Sequence, residues 1–498
     1  MDNNVIDINK DRRQDESVEK WRKANGKGTL NLTMRFGKTR VASKIVKNMF
    51  DHKSDYHILA IAPNDITYKN LHFNLEAPAD CAGWIDVRTI NQLINYTQDA
   101  RLKGELPFKV DLLILDEVHK LLSPEALLAI KSIEYKYILC LTGSKLNNKS
   151  IEILKELNAP IVDSITEVEA IAKGWVAPSL EYNLAVQLDD HDKVRYAKYS
   201  ELISETLEVF KGLHKQMNQL FKSNVFDSDF NLVLSAFTGI HYKDRNGIKT
   251  FIKPTIIRNM LADIMGWSRD MPLDNEYNKK IAKYWNPDNI FERAKKFKDF
   301  VKQRNEILIH NRPKINAVLE ILRYNDVSTI CFNESIAMVD DLAEHFPIDG
   351  IPYHSNIESR YVINPATGHY YTYKNGNPKY MGKESLKKLA IAGMKSGVYK
   401  YLFTAQSLNE GLTIENIEQI ITTGGSCNTM TYEQRVARGK TLNIANPDKV
   451  CVIINIYIDD FKIGEKEVKS RDKQKLILRQ QSSENIPIWV NSVSEIFM

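Results

Sequence analysis

The sequence predicts an α/β protein with two parallel sheets and a long helical segment between them, on three observations. Short apolar runs that end in polar or glycine residues alternate with helical patterns in the first third of the chain. The same alternation returns after residue 313. Between the two lie over a hundred residues, 188–312, of long, charged, helically periodic sequence with few strand signals. Strands that alternate with helices argue for βαβ units, because each crossover helix covers a sheet face.

The first strand is expected in "GTLNLTM" (28–34), followed by "RVASKIVKNMF", whose apolar residues Val41, Ile45, Val46 and Met49 have helical spacing. Gly37-Lys38-Thr39 between them ends a phosphate-binding loop of the form G-x-x-x-x-G-K-[ST], but the first glycine of that pattern falls on Leu32. Backbone N–H groups at a helix start can cradle phosphates, Lys38 can reach the β/γ-phosphates, and the Thr39 hydroxyl can hold Mg²⁺. "YHILAIAP" (56–63), "VDLLILDEVH" (110–119) and "YKYILCLTGS" (135–144) are further strand-like runs. In parallel sheets ligands sit at the carboxyl ends of the strands. Asp116 and Glu117 fall at such an end, where an ATPase needs one carboxylate to hold Mg²⁺ and a second to orient or deprotonate water.

The helical segment carries aromatic and basic residues, which suit either nucleic-acid contact or a solvated face. Second-half strands are expected in "VSTICFNES" (327–335), "YKYLFTAQS" (399–407), "IEQIITTGGS" (417–426) and "KVCVIINIYI" (449–458). "YVINPATGHYYTYKNGNPKY" (361–380) reads as an inserted β-hairpin with Asn364-Pro365 and Gly368 in its turn. Its tyrosines could stack on bases, wedge a duplex apart, or pack one face of a small sheet.

At 498 residues the chain should form two or three domains. Its 43% apolar and 26% charged content is that of a globular protein with a sizeable core. The net charge of +5, from 68 Lys and Arg against 63 Asp and Glu, permits a nucleic-acid partner without arguing for one. Cys81, Cys140, Cys331, Cys427 and Cys451 are far apart and make no C-x-x-C pair, so buried, reduced thiols are expected rather than a zinc site or disulfides. The N-terminal "MDNNVIDINKDRRQDE" is polar and no run approaches 18 apolar residues. A cytoplasmic location is expected, the host cytoplasm for a viral protein.

Taken in order, these segments resemble superfamily 2 helicases and nucleic-acid translocases, most closely DExH and SNF2-like members of the kind common in phages and bacteria. The resemblance runs from about Arg12 to Asp460 and covers the helical middle least. "RRQDESVEKW" looks like the upstream glutamine motif, with Gln14 in the place that reads adenine. "LTMRFGKT" is similar to motif I in its M-G-L-G-K-T form, with Arg35 replacing a glycine. "ILAIAPN" and "VRTINQL" resemble motifs Ia and Ib, "LDEVH" motif II, "LTGS" motif III and "TICFNES" motif IV. "FTAQSLNEGLTIENIEQII" is close to motif V, with Thr413 where Asp is usual. "QRVARGKT" resembles motif VI, Q-R-x-G-R-x-x-R, with Ala437 for the glycine and Thr441 for the last arginine.

The resemblance implies two tandem RecA-like parallel-sheet lobes with a helical insertion: lobe 1 over 1–187, insertion 188–312, lobe 2 over 313–465, and a C-terminal tail 466–498 whose "IPIWVNSVSEIFM" docks back on the body. It implies ATP and Mg²⁺ as cofactors and an ATP hydrolase acting on nucleic acid, DNA before RNA, as a monomer and away from membranes. Catalysis would fall to Lys38, Asp116, Glu117 and Arg438, with Arg438 as the arginine finger and Lys440 as a weaker point charge. ATP would also touch Gln14, Gly37, Thr39, Glu410, Gly411, Gln434 and Arg435, and Thr39 and Asp116 would hold the metal. His119, Thr142 and Ser144 would couple the ATP state to strand movement, and Asn64, Arg88, Thr89 and Thr404 would meet nucleic acid. Helicase or translocase is the leading expectation. A remodeller or clamp that does not unwind, an RNA helicase and a non-hydrolysing binding module are the alternatives.

Overall fold

Six strands build the first sheet: β1 (Lys27–Leu32), β2 (His57–Ala62), β3 (Trp84–Thr89), β4 (Lys109–Leu115), β5 (Glu134–Thr142) and β6 (Ile161–Ile165). Their order is β3-β2-β4-β5-β1-β6, and every pairing is parallel. The computed structural model describes residues 3–75, 83–103, 109–144, 146–243, 249–405, 414, 416–424, 429–442, 446, 448–480 and 486–497. Along β4, Leu112 and Ile114 enter one core while Leu113 and Leu115 enter the other. Burial on both faces explains why these strands read as continuous apolar runs rather than alternating ones. Helix α1 (Asn3–Lys23) precedes β1 and α2 (Lys38–His52) follows it. Buried Asp163 of β6 holds α1 by accepting two bonds from Arg13, at 2.8 Å each, one from Ser17 and one from Lys20.

The chain divides into two compact units. One is Met1–Ala185 with Lys314–Tyr457 and Gln474–Met498, and the other is Val186–Pro313 with Ile458–Lys473. The second unit is helical as expected, with Asp190–Val209 and Pro287–Ile309 its longest helices, plus a hairpin of β8 (Ile240–Lys243) and β9 (Lys249–Ile252). Many of its aromatics, Phe210, Phe226 and Phe297 among them, face an internal core.

The second sheet of the first unit begins with a strand from the other half of the sequence, β7 (Ser179–Val186). It continues with β10 (Thr329–Asn333) and β11 (Gly350–Tyr353). The insertion follows as short antiparallel pairs, β12 (Arg360–Tyr361) with β15 (Tyr380–Met381) and β13 (Ile363–Asn364) with β14 (His369–Tyr370). Gly368, at φ +69°, donates its N–H to the Asn364 carbonyl, closing the turn at the position read from sequence. Next come β16 (Tyr401–Ala405), β17 (Gln419–Thr422) and β18 (Cys451–Ile458), then a hairpin of β19 (Phe461–Ile463) and β20 (Lys466–Val468), and finally β21 (Ile488–Val490). The sheet order is β11-β16-β10-β17-β18-β7-β21. The architecture is therefore two RecA-like parallel-sheet lobes with a helical insertion.

Two boundaries differ from the sequence expectation. The stretch assigned to the end of the first lobe supplies β7 to the second sheet, because its inward side chains Glu181 and Asn183 pair with polar groups there. The segment assigned to the tail is split. β20 belongs to the helical unit, while β21 pairs with β7 and Phe497 stacks on Tyr324 at 6.1 Å. Cys140, Cys331 and Cys451 are buried free thiols, and Cys81 and Cys427 lie outside the described residues. Among the described residues no helix is long and apolar enough to cross a membrane.

Candidate nucleotide site

The loop after β1 is held by backbone bonds from Thr33 N–H to the Ile165 carbonyl at 3.1 Å and from Phe36 N–H to the Thr33 carbonyl at 3.3 Å. Gly37, at φ +106°, then caps α2, whose first two residues are Lys38 and Thr39. A side chain at 37 would meet the Gln14 amide, since an added Cβ would lie 2.6 Å from Gln14 Nε2. Gln14 donates that group to the Phe36 carbonyl at 2.9 Å. Its Oε1 is buried and accepts no hydrogen bond, an orphan acceptor beside the loop. Arg35 occupies the glycine position of the resembled motif and takes the conformation glycine would take, at φ +68°. That costs a side-chain-bearing residue roughly 1–2 kcal/mol.

The acid pair stands two strands away. β5 lies between β4 and β1, with Leu115 opposite Cys140 and Asn31 opposite Thr142, so all three strand ends share one edge. Lys38 Nζ reaches across that edge to Glu117 Oε1 at 2.6 Å. Glu117 sits at φ +47° and donates its N–H to Asp116 Oδ1 at 3.0 Å. Burial pushes the Asp116 carboxyl up to about 7, and the Glu117 charge adds to the shift. Burial works to raise Glu117 too, but the Lys38 ammonium holds it below the usual carboxylate range. Glu117 Oε2 is buried and accepts no hydrogen bond.

His119 Nδ1 lies 2.8 Å from Thr142 Oγ1, and burial depresses the imidazole to about 4, so it is neutral at physiological pH. Thr142 Oγ1 also accepts the Ser144 N–H at 3.2 Å, which joins the end of β5 to the acid pair. Gly143 between them leaves room for Lys38. A Cβ there would lie 2.6 Å from Lys38 Nζ and 3.0 Å from the Leu32 carbonyl.

From the second lobe, the helix Thr429–Val436 and the turn after it bring Gln434, Arg435 and Arg438. Arg435 and Arg438 are both buried. Arg435 stacks over Phe332 at 5.2 Å, and burial brings its guanidinium down to about 10, still charged. The Ala437 carbonyl accepts a hydrogen bond from Arg35 Nε at 3.0 Å. Lys440 Nζ is bound to Glu167 Oε1 of the first lobe at 2.5 Å. That pairing occupies the point charge considered for the phosphate.

Three of the remaining expected residues, Asn64, Arg88 and Thr89, make local contacts. Asn64 Oδ1 accepts the Thr67 N–H at 3.0 Å. Thr89 and Gln92 cap each other reciprocally at the helix start after β3. Arg88 bonds Asp86 at 2.6 Å and lies over the Tyr96 ring at 4.8 Å. Thr404 is fully buried in β16, and its hydroxyl has no hydrogen-bond partner. Glu410 and Gly411 lie outside the described residues.

Sequence reasoning missed the polar group that supports the arginine-bearing helix. Glu181 Oε1 accepts bonds from the Tyr432 hydroxyl, Asn455 Nδ2 at 3.0 Å and Gln480 Nε2 at 2.5 Å. Arg479 lies over the Tyr432 ring at 4.6 Å and bonds Thr422 Oγ1 and Asn455 Oδ1, each at 3.1 Å.

No protein-family model and no curated protein matches the chain. Among solved structures it is similar to the Hef helicase domain of Pyrococcus furiosus, with a TM-score of 0.46, 14% identity, and coverage of 94% of this chain and 98% of that one.

Proposed function

We propose that this chain is an ATP-driven helicase or translocase that acts on nucleic acid, DNA in preference to RNA. One observation carries the reading: Lys38, at the start of the helix after the glycine loop, is in contact with Glu117 of the acid pair two strands away. A phosphate loop and a carboxylate pair at one sheet edge are the parts that nucleoside-triphosphate hydrolysis requires. The donor set fits a triphosphate: the Lys38 ammonium, for which Gly143 leaves room, and the helix-start N–H groups after Gly37, while the unbonded Gln14 Oε1 is an acceptor suited to an N–H of the base.

Glu117 pairs with and neutralises Lys38. A γ-phosphate at the loop competes for that ammonium and releases the Glu117 carboxylate to orient water and accept its proton. Turnover is thereby tied to a filled site. Thr39 and Asp116 would hold Mg²⁺, which would supply neutralisation of phosphate charge. Arg438 adds positive charge from the second lobe, a role worth on the order of 10³–10⁵ in rate in related phosphoryl transfer. His119, kept neutral by burial, and Thr142 carry changes at Glu117 into the end of β5. Nucleic acid would meet the strand ends near Asn64, Arg88 and Thr89, mainly through phosphates, so binding is sequence-independent and weakens with salt.

The test is ATP hydrolysis by the purified protein alone and with single-stranded DNA, duplex DNA, branched DNA and RNA, with Glu117→Gln as the control. Stimulation by one of these, lost in the variant, establishes the motor and its track. Equal, negligible turnover in both proteins despite ATP binding would replace the motor with a binding module.

A further inference from the structure

Arg35 poses a question of residue choice. Its backbone adopts a left-handed conformation that favours glycine, and the chain carries there one of the largest side chains instead. Strain of this kind persists only where the surroundings over-determine it, and it gathers at sites of function. Here the surroundings do so on both sides. The Arg35 carbonyl accepts a bond from Lys10 Nζ at 3.0 Å, and the same ammonium bonds the Trp175 carbonyl at 3.0 Å. Phe36, the next residue, packs edge-on against the Trp175 ring at 5.4 Å.

With its backbone pinned to the first lobe, the Arg35 side chain reaches into the second. Nε donates to the Ala437 carbonyl, 402 positions away in sequence. Ala437 immediately precedes Arg438, and that carbonyl belongs to the Ala437–Arg438 peptide. The Arg438 N–H on the far side of the same peptide bonds the Arg435 carbonyl at 3.1 Å. The peptide is therefore held from two directions, by its own helix through the N–H and by the phosphate loop through the carbonyl. Burial lowers the Arg35 guanidinium only to about 10, so the donor stays charged and the bond charge-assisted. A glycine here would relax the backbone and leave the carbonyl without this donor.

We propose that Arg35 is a positioning residue that ties the phosphate loop to the Ala437–Arg438 peptide and sets Arg438 for the reaction. The proposal rests on the hydrolase reading above and deepens it. The chain lacks a second arginine at Thr441, so placement of Arg438 matters more here than where two arginines share the task. A misplacement of about 1 Å can cost roughly a hundredfold in rate, so a bond that fixes one peptide is sufficient to matter.

Arg35→Gly tests this without endangering the fold, because glycine suits the backbone at this point. Its melting temperature should stay within a few degrees of the parent's, since the strain relieved offsets the bond lost, and its ADP affinity should stay within about threefold, while kcat falls roughly tenfold to a hundredfold. A double variant with Arg438→Ala should turn over no more slowly than Arg438→Ala alone, since Arg35 acts through Arg438. Unchanged kcat in Arg35→Gly, or losses that multiply in the double variant, would overturn the proposal. Hydrogen exchange over 429–442 gives a readout independent of hydrolysis. Faster exchange in Arg35→Gly supports the tie, and identical exchange overturns it. A parent that binds nucleotide without turnover would sink the hydrolase reading, while the exchange result would still judge the tie.

Discussion

Lys38 Nζ and Glu117 Oε1 stand 2.6 Å apart, with both side chains largely shielded from solvent. In the proposed mechanism the pair makes Glu117, the base, and a bound phosphate competitors for the Lys38 ammonium. Glu117→Gln therefore changes two quantities in opposite directions. Without the carboxylate, turnover should fall by about 10²–10⁴, the usual range for loss of a general base. ATP should bind a few-fold more tightly, because Lys38 no longer has to leave a charged partner. Steady-state turnover and fluorescent-nucleotide titration check the two halves. Weaker ATP binding in the variant would refute the competition.

Acid sensitivity should trace to His119. Burial lowers its folded-state value from 6.5 to about 4. Between those values the unfolded chain binds a proton that the folded one does not, so stability falls as pH falls. The contribution is complete above pH 6.5 and is lost progressively toward about 4. At pH 5 the loss from this one group is about 2 kcal/mol relative to neutral pH. His119→Asn keeps a polar group toward Thr142 and removes the titration. Between pH 7 and pH 5 the change in unfolding free energy, measured with denaturant, should be about 2 kcal/mol more favourable for the variant than for the parent. Asp116, raised from 3.8 to about 7, contributes with the opposite sign, its stabilisation being lost as pH rises between those values, and this part is common to both proteins.

The exposed tyrosines of the insertion form a surface suited to bases. Tyr361, Tyr370, Tyr373 and Tyr380 are each about half exposed, and Tyr361 meets the rings of Tyr370 and Tyr380 at 5.8 and 5.1 Å. Between 360 and 388 six Lys and Arg stand against one acidic residue, Glu384. Tyr371 differs from its neighbour: it packs against Ile357, Met381 and Leu386. Tyr361→Ala with Tyr370→Ala should therefore weaken single-strand binding by about 1–3 kcal/mol per base that stacks. Tyr371→Ala should lower the melting temperature instead. Anisotropy with a labelled oligonucleotide separates the two, and unchanged affinity in the first variant would eliminate stacking by the hairpin.

What the sequence made legible was the edge of the first sheet. Gly37-Lys38-Thr39 and Asp116-Glu117 each end an apolar run, and parallel pairing alone brings such ends together. The hairpin turn at Asn364 to Gly368 was legible for a similar local reason. Arg35 was visible as a substitution, but its bond to Ala437 depends on how two lobes close, and no local pattern encodes that. β7 was harder still. Its buried Glu181 and Asn183 look like solvent-facing residues until Asn455 and Gln480 are known to meet them. Polar residues that satisfy one another across hundreds of positions leave no periodic signal.

That polar group makes the last prediction. Arg479 is nearly fully buried; it bonds the Gly424 carbonyl, Thr422 Oγ1 and Asn455 Oδ1 and covers the ring of Tyr432. Tyr432 lies on the helix that carries Arg435, and its hydroxyl bonds Glu181. Arg479→Ala would leave buried acceptors short of a donor and a void beside the ring. Removing one partner of a buried network costs more than the bonds it made, because the groups left behind stay desolvated. A loss of about 2–4 kcal/mol in unfolding free energy is expected. Replacing Arg479 by Met fills the void without restoring the bonds and should recover only part of that loss. Denaturant titration of the three proteins decides it: full recovery by Met would show that volume, rather than the polar bonds, accounts for the contribution of Arg479 beside Tyr432.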